Sequence, residues 1–359
     1  MQIGAAIAPL SAAPTWRSTS GMAAPGASDR YIPSSADQEV PANLKKVLEA
    51  AGKPYYDEAK DVADIAAYYA EISPEAAPAQ FYEDLSAQVK RTHRERFGFD
   101  PIKRLFPWVD LRPNLRLQSI YASQPVSTDD PVKATKGRDF VQKVKFPAQP
   151  RVRKDGSLGP ARNVQRKVDF REQSKQWAQQ LLQAPNNALE IAQRIALVEG
   201  YRFYNAEHSV PQFFFDHDKV PKGDLHHLFT CEKTANEQRG CRPYNDTRHD
   251  PQDRSQGGWA PKEINEFEPD NGKGPVARAA LYFLLRYPGE IGDKPLEYTK
   301  KSLDTLLRWN REDPVSLYEK HRNQAIAEVQ GNRNPFIDHP EWAEKIDFTA
   351  AFGEYGQSR

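Results

Sequence analysis

The sequence predicts an α+β fold, mostly helical, on three observations. Apolar residues recur at three- and four-residue spacing along most of the chain, which is the period of an amphipathic helix. Only a few short runs, rich in aromatic and β-branched residues and bounded by breakers, read as strands. The 29 Pro and 20 Gly among 359 residues, with a mean hydropathy of −0.78, leave long polar connections between these elements. The length is ample for a sizeable core. No apolar run approaches 18 residues, so no transmembrane helix is expected. Lys and Arg total 50 against 49 Asp and Glu, and a net charge of +1 does not decide for or against nucleic acid; only its distribution can. Two cysteines without a CxxC exclude a disulfide scaffold and a zinc ribbon.

The first 40 residues hold 9 Ala, 6 Ser, 4 Pro and 3 Gly, too little apolar surface to offset ordering entropy, so segment 1–43 is expected to be disordered. No Lys or Arg precedes Arg17 and Pro9 follows a weak Ala6-Ile7-Ala8 cleavage pattern, so at most a remnant of an export signal is read there. Residues 44–78 read as a helical extension: Leu44, Val47 and Leu48 share one face, then Val62, Ile65, Ala66, Tyr69 and Ile72 share another, ended by Pro74. A helix is expected from Ala79 to about Arg96 on Phe81, Leu85 and Val89. Pro107–Leu111 and Leu115–Tyr121 read as two strands.

Residues 131–175 carry 13 Lys or Arg against four acidic residues, a local balance of +9. Such a run is either a solvated loop or a patch that tracks a phosphate backbone. Lys143, Lys145, Arg151, Arg153 and Lys154 are its candidate nucleic-acid contacts. Trp177 beside it reads as core or as a stacking surface. A helix over Leu181–Ile195, an aromatic strand over Tyr201–Gln212 and a second strand over Asp224–Phe229 follow. Glu232–Arg239 reads as a helix with Thr230 as cap and Gly240 as terminator. After a long loop come three helices: Val276–Tyr287, Leu296–Trp309, and one with Asp313 as N-cap and Pro314 at N1 that ends near Gly331.

The chemistry lies in the middle. Glu207-His208 ends the first strand and Asn236 sits on the helix 28 residues beyond His208, room for two short strands and a helix turn that would face one another. Carboxylate and amide oxygens are hard donors of the kind Mg²⁺ accepts while keeping several waters. A neutral histidine beside such an ion can take a proton from attacking water. Asn236 and Arg239 are three apart, on one helical face, so the same face offers a metal ligand and a guanidinium. His226 and His227 would alternate across their strand, one of them structural. Asp216-His217-Asp218 reads as a polar loop, and Asn332, Asn334, Asp338 and His339 as turn and bracing residues.

These segments resemble bacterial endonuclease I. The matching pieces are 204–212 (YNAEHSVPQ), 223–229 (GDLHHLF), 236–240 (NEQRG), 273–279 (KGPVARA), 281–287 (LYFLLRY), 313–316 (DPVS) and 330–342 (QGNRNPFIDHPEW), with 105–111 and 117–121 upstream. Together they span roughly residues 80–345 in order. The resemblance implies a single nuclease domain over 79–348 built around a ββα-metal (His-Me finger) motif, with a tail at 349–359. It implies His208 as the general base and Glu207 and Asn236 as protein ligands of one Mg²⁺, which Mn²⁺ or Ca²⁺ can replace. Arg239, with Arg278 behind it, is the candidate arginine at the scissile phosphate. Cys241 stands where Asn is expected after Arg-Gly, and Ala235 where some members carry Cys. DNA, and RNA as a second substrate, are the implied partners, in a secreted or periplasmic monomer without a membrane span, and cleavage would leave 5′-phosphates. Two other classes stay open: a relative that binds nucleic acid without cleaving it, and a phosphodiesterase for small molecules. Ten residues of helix would hold Cys231 and Cys241 roughly 15 Å apart, beyond the reach of a disulfide, so two free thiols are expected.

Overall fold

The computed structural model describes residues 39–123, 141–149, 162–169, 188–294 and 296–353, all within one compact unit. No described helix is long and apolar enough to cross a membrane. Helices dominate: α1 (Ala42–Ala50), α2 (Glu58–Tyr68), α3 (Pro78–Thr92), the single turn α4 (Pro101–Arg104), and α5 (Ala188–Phe203). Beyond them come α6 (Lys219–Gly223), α7 (Lys233–Arg239), α8 (Lys273–Arg286), α9 (Lys300–Glu312), α10 (Leu317–Gln330) and α11 (Pro335–Asp338). The strands form three small antiparallel sheets: β1 (Val141–Gln149) with β2 (Arg162–Asp169), β3 (Tyr204–His208) with β4 (Leu228–Glu232), and β5 (Arg254–Ser255), β6 (Gly258–Trp259) and β7 (Glu268–Pro269). The fold is α+β, as expected. The segment 1–38, Trp177 and residues 354–359 lie outside the described residues.

Helix α8 is the axis of the core. Every residue from Gly274 to Arg286 is buried, because Val276, Leu281, Phe283, Leu284 and Leu285 leave no polar face except through Arg278, and such a helix must be enclosed. Around it pack Phe81, Leu85 and Val89 of α3, Leu306 and Trp309 of α9, and Phe336, Trp342 and Phe348 near the C-terminus. A second cluster, Leu105, Phe106, Leu117, Tyr204 and Leu228, lies beneath β3 and β4.

Within the 44–78 segment, α2 is tied to residues near α11. In α2 it is Asp61 that is buried, while Val62 of the expected apolar face is exposed. Asp61 holds Arg333 Nη2 at 2.8 Å, and Asp338 accepts from Arg333 Nε at 2.7 Å and from Tyr69 Oη at 2.9 Å. The end of the chain is likewise packed as far as buried Ala351 and Phe352.

Several expected elements differ. Residues 107–121 hold no strand: Leu105–Val109 close a π-helical turn after the Asp100-capped α4, and the chain beyond runs mostly buried through local turns, such as Leu115 N to Arg112 O at 2.8 Å, with Ile120 N donating to Thr230 O at 2.8 Å. Leu111, Leu115 and Leu117 are all buried, so their apolar run records enclosure rather than a sheet. The second strand is Leu228–Glu232, and His226 and His227 precede it in a 3₁₀ turn, both buried, so strand alternation does not apply to them. Thr230 lies inside that strand, and α7 is entered from Glu232. Asp313 is not an N-cap: its carboxylate accepts from Gly274 N at 2.7 Å, and α10 starts from Ser316, whose capping box closes through Glu319.

Candidate functional site

Strand β3 lies beside β4 with Glu207 opposite Phe229 and His208 opposite Leu228, and α7 follows β4 directly. Consecutive side chains of a strand leave on opposite faces. Glu207 therefore turns toward α7, and His208 toward α6 and the loop at residues 97–99.

On the α7 side, Asn236 Nδ2 donates to Ala206 O at 3.3 Å, which ties the carboxamide to the strand one residue from Glu207 and leaves its Oδ1 as donor atom for a ligand. Glu207 is buried, with its Oε1 accepting from Tyr121 Oη at 2.7 Å and from Arg239 Nη1 at 2.8 Å. Tyr121 and Tyr244 hydroxyls are 2.7 Å apart; since Tyr121 gives its proton to Glu207, Tyr244 donates to Tyr121. Burial pushes the Glu207 carboxyl above its usual range, against the pull of the Arg239 charge.

Arg239 is not free to reach a phosphate. It is buried, its Nη1 also donates to His208 O at 2.8 Å, its Nη2 donates to Ser209 O at 2.8 Å, and its guanidinium lies 4.5 Å over the Tyr244 ring. It braces the end of β3 and compensates Glu207. Arg278 is equally committed, through two bonds to Glu319 of 2.7 and 3.0 Å and one of 2.8 Å to Asp313 O.

On the other side, His208 Nε2 faces Lys222 O at 3.0 Å, and Gln212 Nε2 faces Nδ1 at 3.1 Å. A carbonyl only accepts and an amide nitrogen only donates, so the neutral ring carries its proton on Nε2 and presents the Nδ1 lone pair. Burial holds the His208 ring well below the usual histidine range, helped by His227, whose ring centroid lies 5.3 Å away, so His208 is neutral at neutral pH. Phe99 stacks on it at 5.2 Å.

Behind this face is a buried carboxylate, Asp224. Its Oδ2 accepts from Tyr282 Oη at 2.7 Å and Tyr287 Oη at 2.9 Å, and its Oδ1 from Gln330 Nε2 at 3.0 Å and His226 N at 3.1 Å. Asn332 donates to Tyr282 Oη at 2.7 Å and Asn334 caps α11, so both brace, as expected. Asp216 and His217 sit at positive φ in an exposed loop and Asp218 caps α6. The two cysteines are free, Cys231 buried and Cys241 exposed.

Tyr121 and Gln212 lay in segments that carried the resemblance but were given no chemical role, and Tyr244 and Lys222 O were not singled out. The tyrosines lie 86 and 37 residues from Glu207 in chain order, too far apart for local spacing to show the contact. A carbonyl leaves no trace in sequence at all. Lys143 and Lys145 fall on β1, opposite Lys167 and Gln165, while Arg151, Arg153 and Lys154 lie outside the described residues.

Among the described residues no three His, Cys, Asp or Glu cluster as a metal site. The Glu207 carboxylate and Asn236 amide are an oxygen pair, and that donor set fits a hard ion that keeps most of its shell as water.

The family described as Endonuclease I matches residues 166–341. An extracellular ribonuclease of Bacillus amyloliquefaciens is 39% identical over 138 residues, 35% of this chain and 47% of the relative. The extracellular ribonuclease of Bacillus subtilis is 38% identical over 144 residues, 37% of this chain and 49% of the relative. An extracellular deoxyribonuclease of Aeromonas hydrophila is 31% identical over 121 residues, 33% of this chain and 50% of the relative. The chain thus spans about half the length of the curated relatives it matches. Glu207, His208, Gln212, Lys222, Asn236, Arg239 and Tyr244 lie inside the matched region, Phe99 and Tyr121 outside it, and over residues 166–341 the chain is similar to the endonuclease I family.

Proposed function

We propose that the chain is a metal-dependent, non-specific endonuclease that hydrolyses internal phosphodiester bonds of DNA, and of RNA as well, and leaves 5′-phosphates. The observation that carries this reading is the Glu207-His208 strand end, inside the family match, packed on the helix of Asn236. In this reading β3, β4 and α7 are the ββα-metal motif, and Glu207 and Asn236 hold one Mg²⁺. A bound Mg²⁺ would neutralise the scissile phosphate and stabilise the leaving 3′-oxygen.

The residues of the chain do the rest. Lys222 O keeps the proton of His208 on Nε2, so Nδ1 is the basic atom. Water taking the place of the Gln212 amide at Nδ1 would lose its proton there as it attacks phosphorus. Arg239 holds His208 O and Glu207 in fixed relation, a positioning role. The basic segment, with Lys143, Lys145, Arg151, Arg153 and Lys154, would bind backbone phosphates without reading bases. The names of the relatives, ribonucleases as well as deoxyribonucleases, extracellular and periplasmic, support both substrates and a secreted protein, and we read it as a monomer. Plasmid DNA and a structured RNA incubated with the protein in Mg²⁺ should both be cut, and EDTA should stop the cutting. No cleavage of either in Mg²⁺ or Mn²⁺ would leave the non-cleaving relative as the better reading, and cleavage of small aryl phosphodiesters alone would favour the small-molecule enzyme.

A further inference from the structure

Large apolar side chains exposed among the described residues are few, and the aromatic ones are Phe99, at 40% exposure, and Phe213, at 55%. Both lie at His208. Phe99 stacks on its ring, 5.2 Å between centroids at 30°, and Phe213 follows the Gln212 that binds its Nδ1. Each has a lysine ammonium near its ring: Lys222 Nζ lies 5.6 Å from the Phe99 centroid and Lys294 Nζ lies 5.5 Å from that of Phe213. Lys294 is engaged, with Asp216 at 3.4 Å and Glu297 at 3.7 Å, whereas Lys222 forms no ion pair with a described residue.

The Phe99 ring is held in place. A Cβ at Gly223 would come within 2.0 Å of Phe97 O, so the α6 turn presses directly on the loop that carries Phe99. Lys222 belongs to the same turn and gives its carbonyl to His208 and its ammonium to the Phe99 side. An exposed aromatic face, fixed beside His208 and accompanied by a cation with no ion pair to a described residue, is the arrangement that binds single-stranded nucleic acid: the ring stacks a base and the cation meets a phosphate.

We propose that Phe99 and Lys222 form a nucleobase subsite that stacks one unpaired base of the strand beside His208, with Lys222 on an adjacent phosphate. The proposal rests on the nuclease reading of this site, and it commits to an unpaired base, because a base inside a duplex has no free face to offer.

Binding is measured in EDTA, without cleavage, by anisotropy of two labelled single strands of equal length, one with bases and one of abasic deoxyribose phosphates. Phe99→Ala should lose about 5- to 100-fold in affinity for the base-bearing strand, the worth of one stacked base, and less than about 2-fold for the abasic strand. Phe99→Trp should restore the former. Lys222→Ala, which keeps the carbonyl, should weaken both strands and reduce the log–log salt slope by about 0.7. Equal losses on both strands for Phe99→Ala, or no loss on either, would overturn the subsite, as would failure of Trp to restore binding. Wild-type protein that binds both strands this way but cuts neither in Mg²⁺ would refute the endonuclease reading while leaving the subsite standing.

Discussion

Arg239 is buried and bonds to a carboxylate and two backbone carbonyls at the end of β3. Position on the Asn236 face made it a phosphate contact; the structure spends its guanidinium on Glu207, His208 O and Ser209 O. Removing one partner of a buried ion pair leaves the other charged and unsolvated. Arg239→Ala should therefore cost about 3–5 kcal/mol of stability, read as a shifted urea midpoint, whereas an arginine that touched only substrate would leave the midpoint alone. His226 offers a second test. Burial lowers its pKa to about 4, against the pull of Asp224, from 6.5. Between those values the unfolded chain binds a proton that the native ring refuses. This contribution is intact above about pH 6.5 and is lost as pH falls toward 4, at up to about 1.4 kcal/mol per pH unit. His226→Leu should flatten the fall in urea midpoint between pH 6.5 and 4 relative to wild type, and parallel profiles would contradict this.

At the scale of elements, the apolar face of α3 was read well, whereas that of α2 was not, since Asp61 is buried there and Val62 exposed. Phe81, Leu85 and Val89 are fully buried on α3, and Gly331, at φ +92°, ends α10 as a glycine can and other residues rarely do. The strands at 107–121 were misread because a chain enclosed on all sides has no polar face to alternate with, so its pattern is that of a buried strand without a partner. Asp313-Pro314 satisfied the rules for a helix start, yet Ser316 and Glu319 satisfy them too. The choice falls to tertiary contacts: Gly274 N takes Asp313 and Arg278 takes Glu319. The turn α6 is the element on which His208 depends. Gly223→Ala places a methyl against the Phe97 carbonyl and must displace either the loop or Lys222 O. It should destabilise the protein by about 1–3 kcal/mol and lower kcat more than that loss of folded protein explains. Full activity and an unchanged melting temperature would show that the contact relaxes freely.

The molecule as a whole is tied together across its length, which no local pattern revealed. Arg333 joins Asp61 of α2 to Asp338 of α11, and Tyr55 Oη donates to Leu111 O at 2.7 Å. A chain begun at Pro78 loses Asp61, Tyr69 and Tyr55 at once, and it should be insoluble or melt far below the full chain; an unchanged melting temperature would show that these contacts add nothing to stability. The pair Glu207-His208 and the facing Asn236 were readable because strand, turn and helix fit within 28 residues. The tyrosines and the Lys222 carbonyl around them come from other parts of the chain and were not, and the Gln212 contact to His208 depends on a turn that spacing alone did not show. The most direct test of the account is plasmid nicking in Mg²⁺ by His208→Ala protein whose melting temperature and DNA affinity match wild type. The account predicts a rate lower by about 10²–10⁴, the worth of a positioned general base, and nicking at the wild-type rate would contradict it.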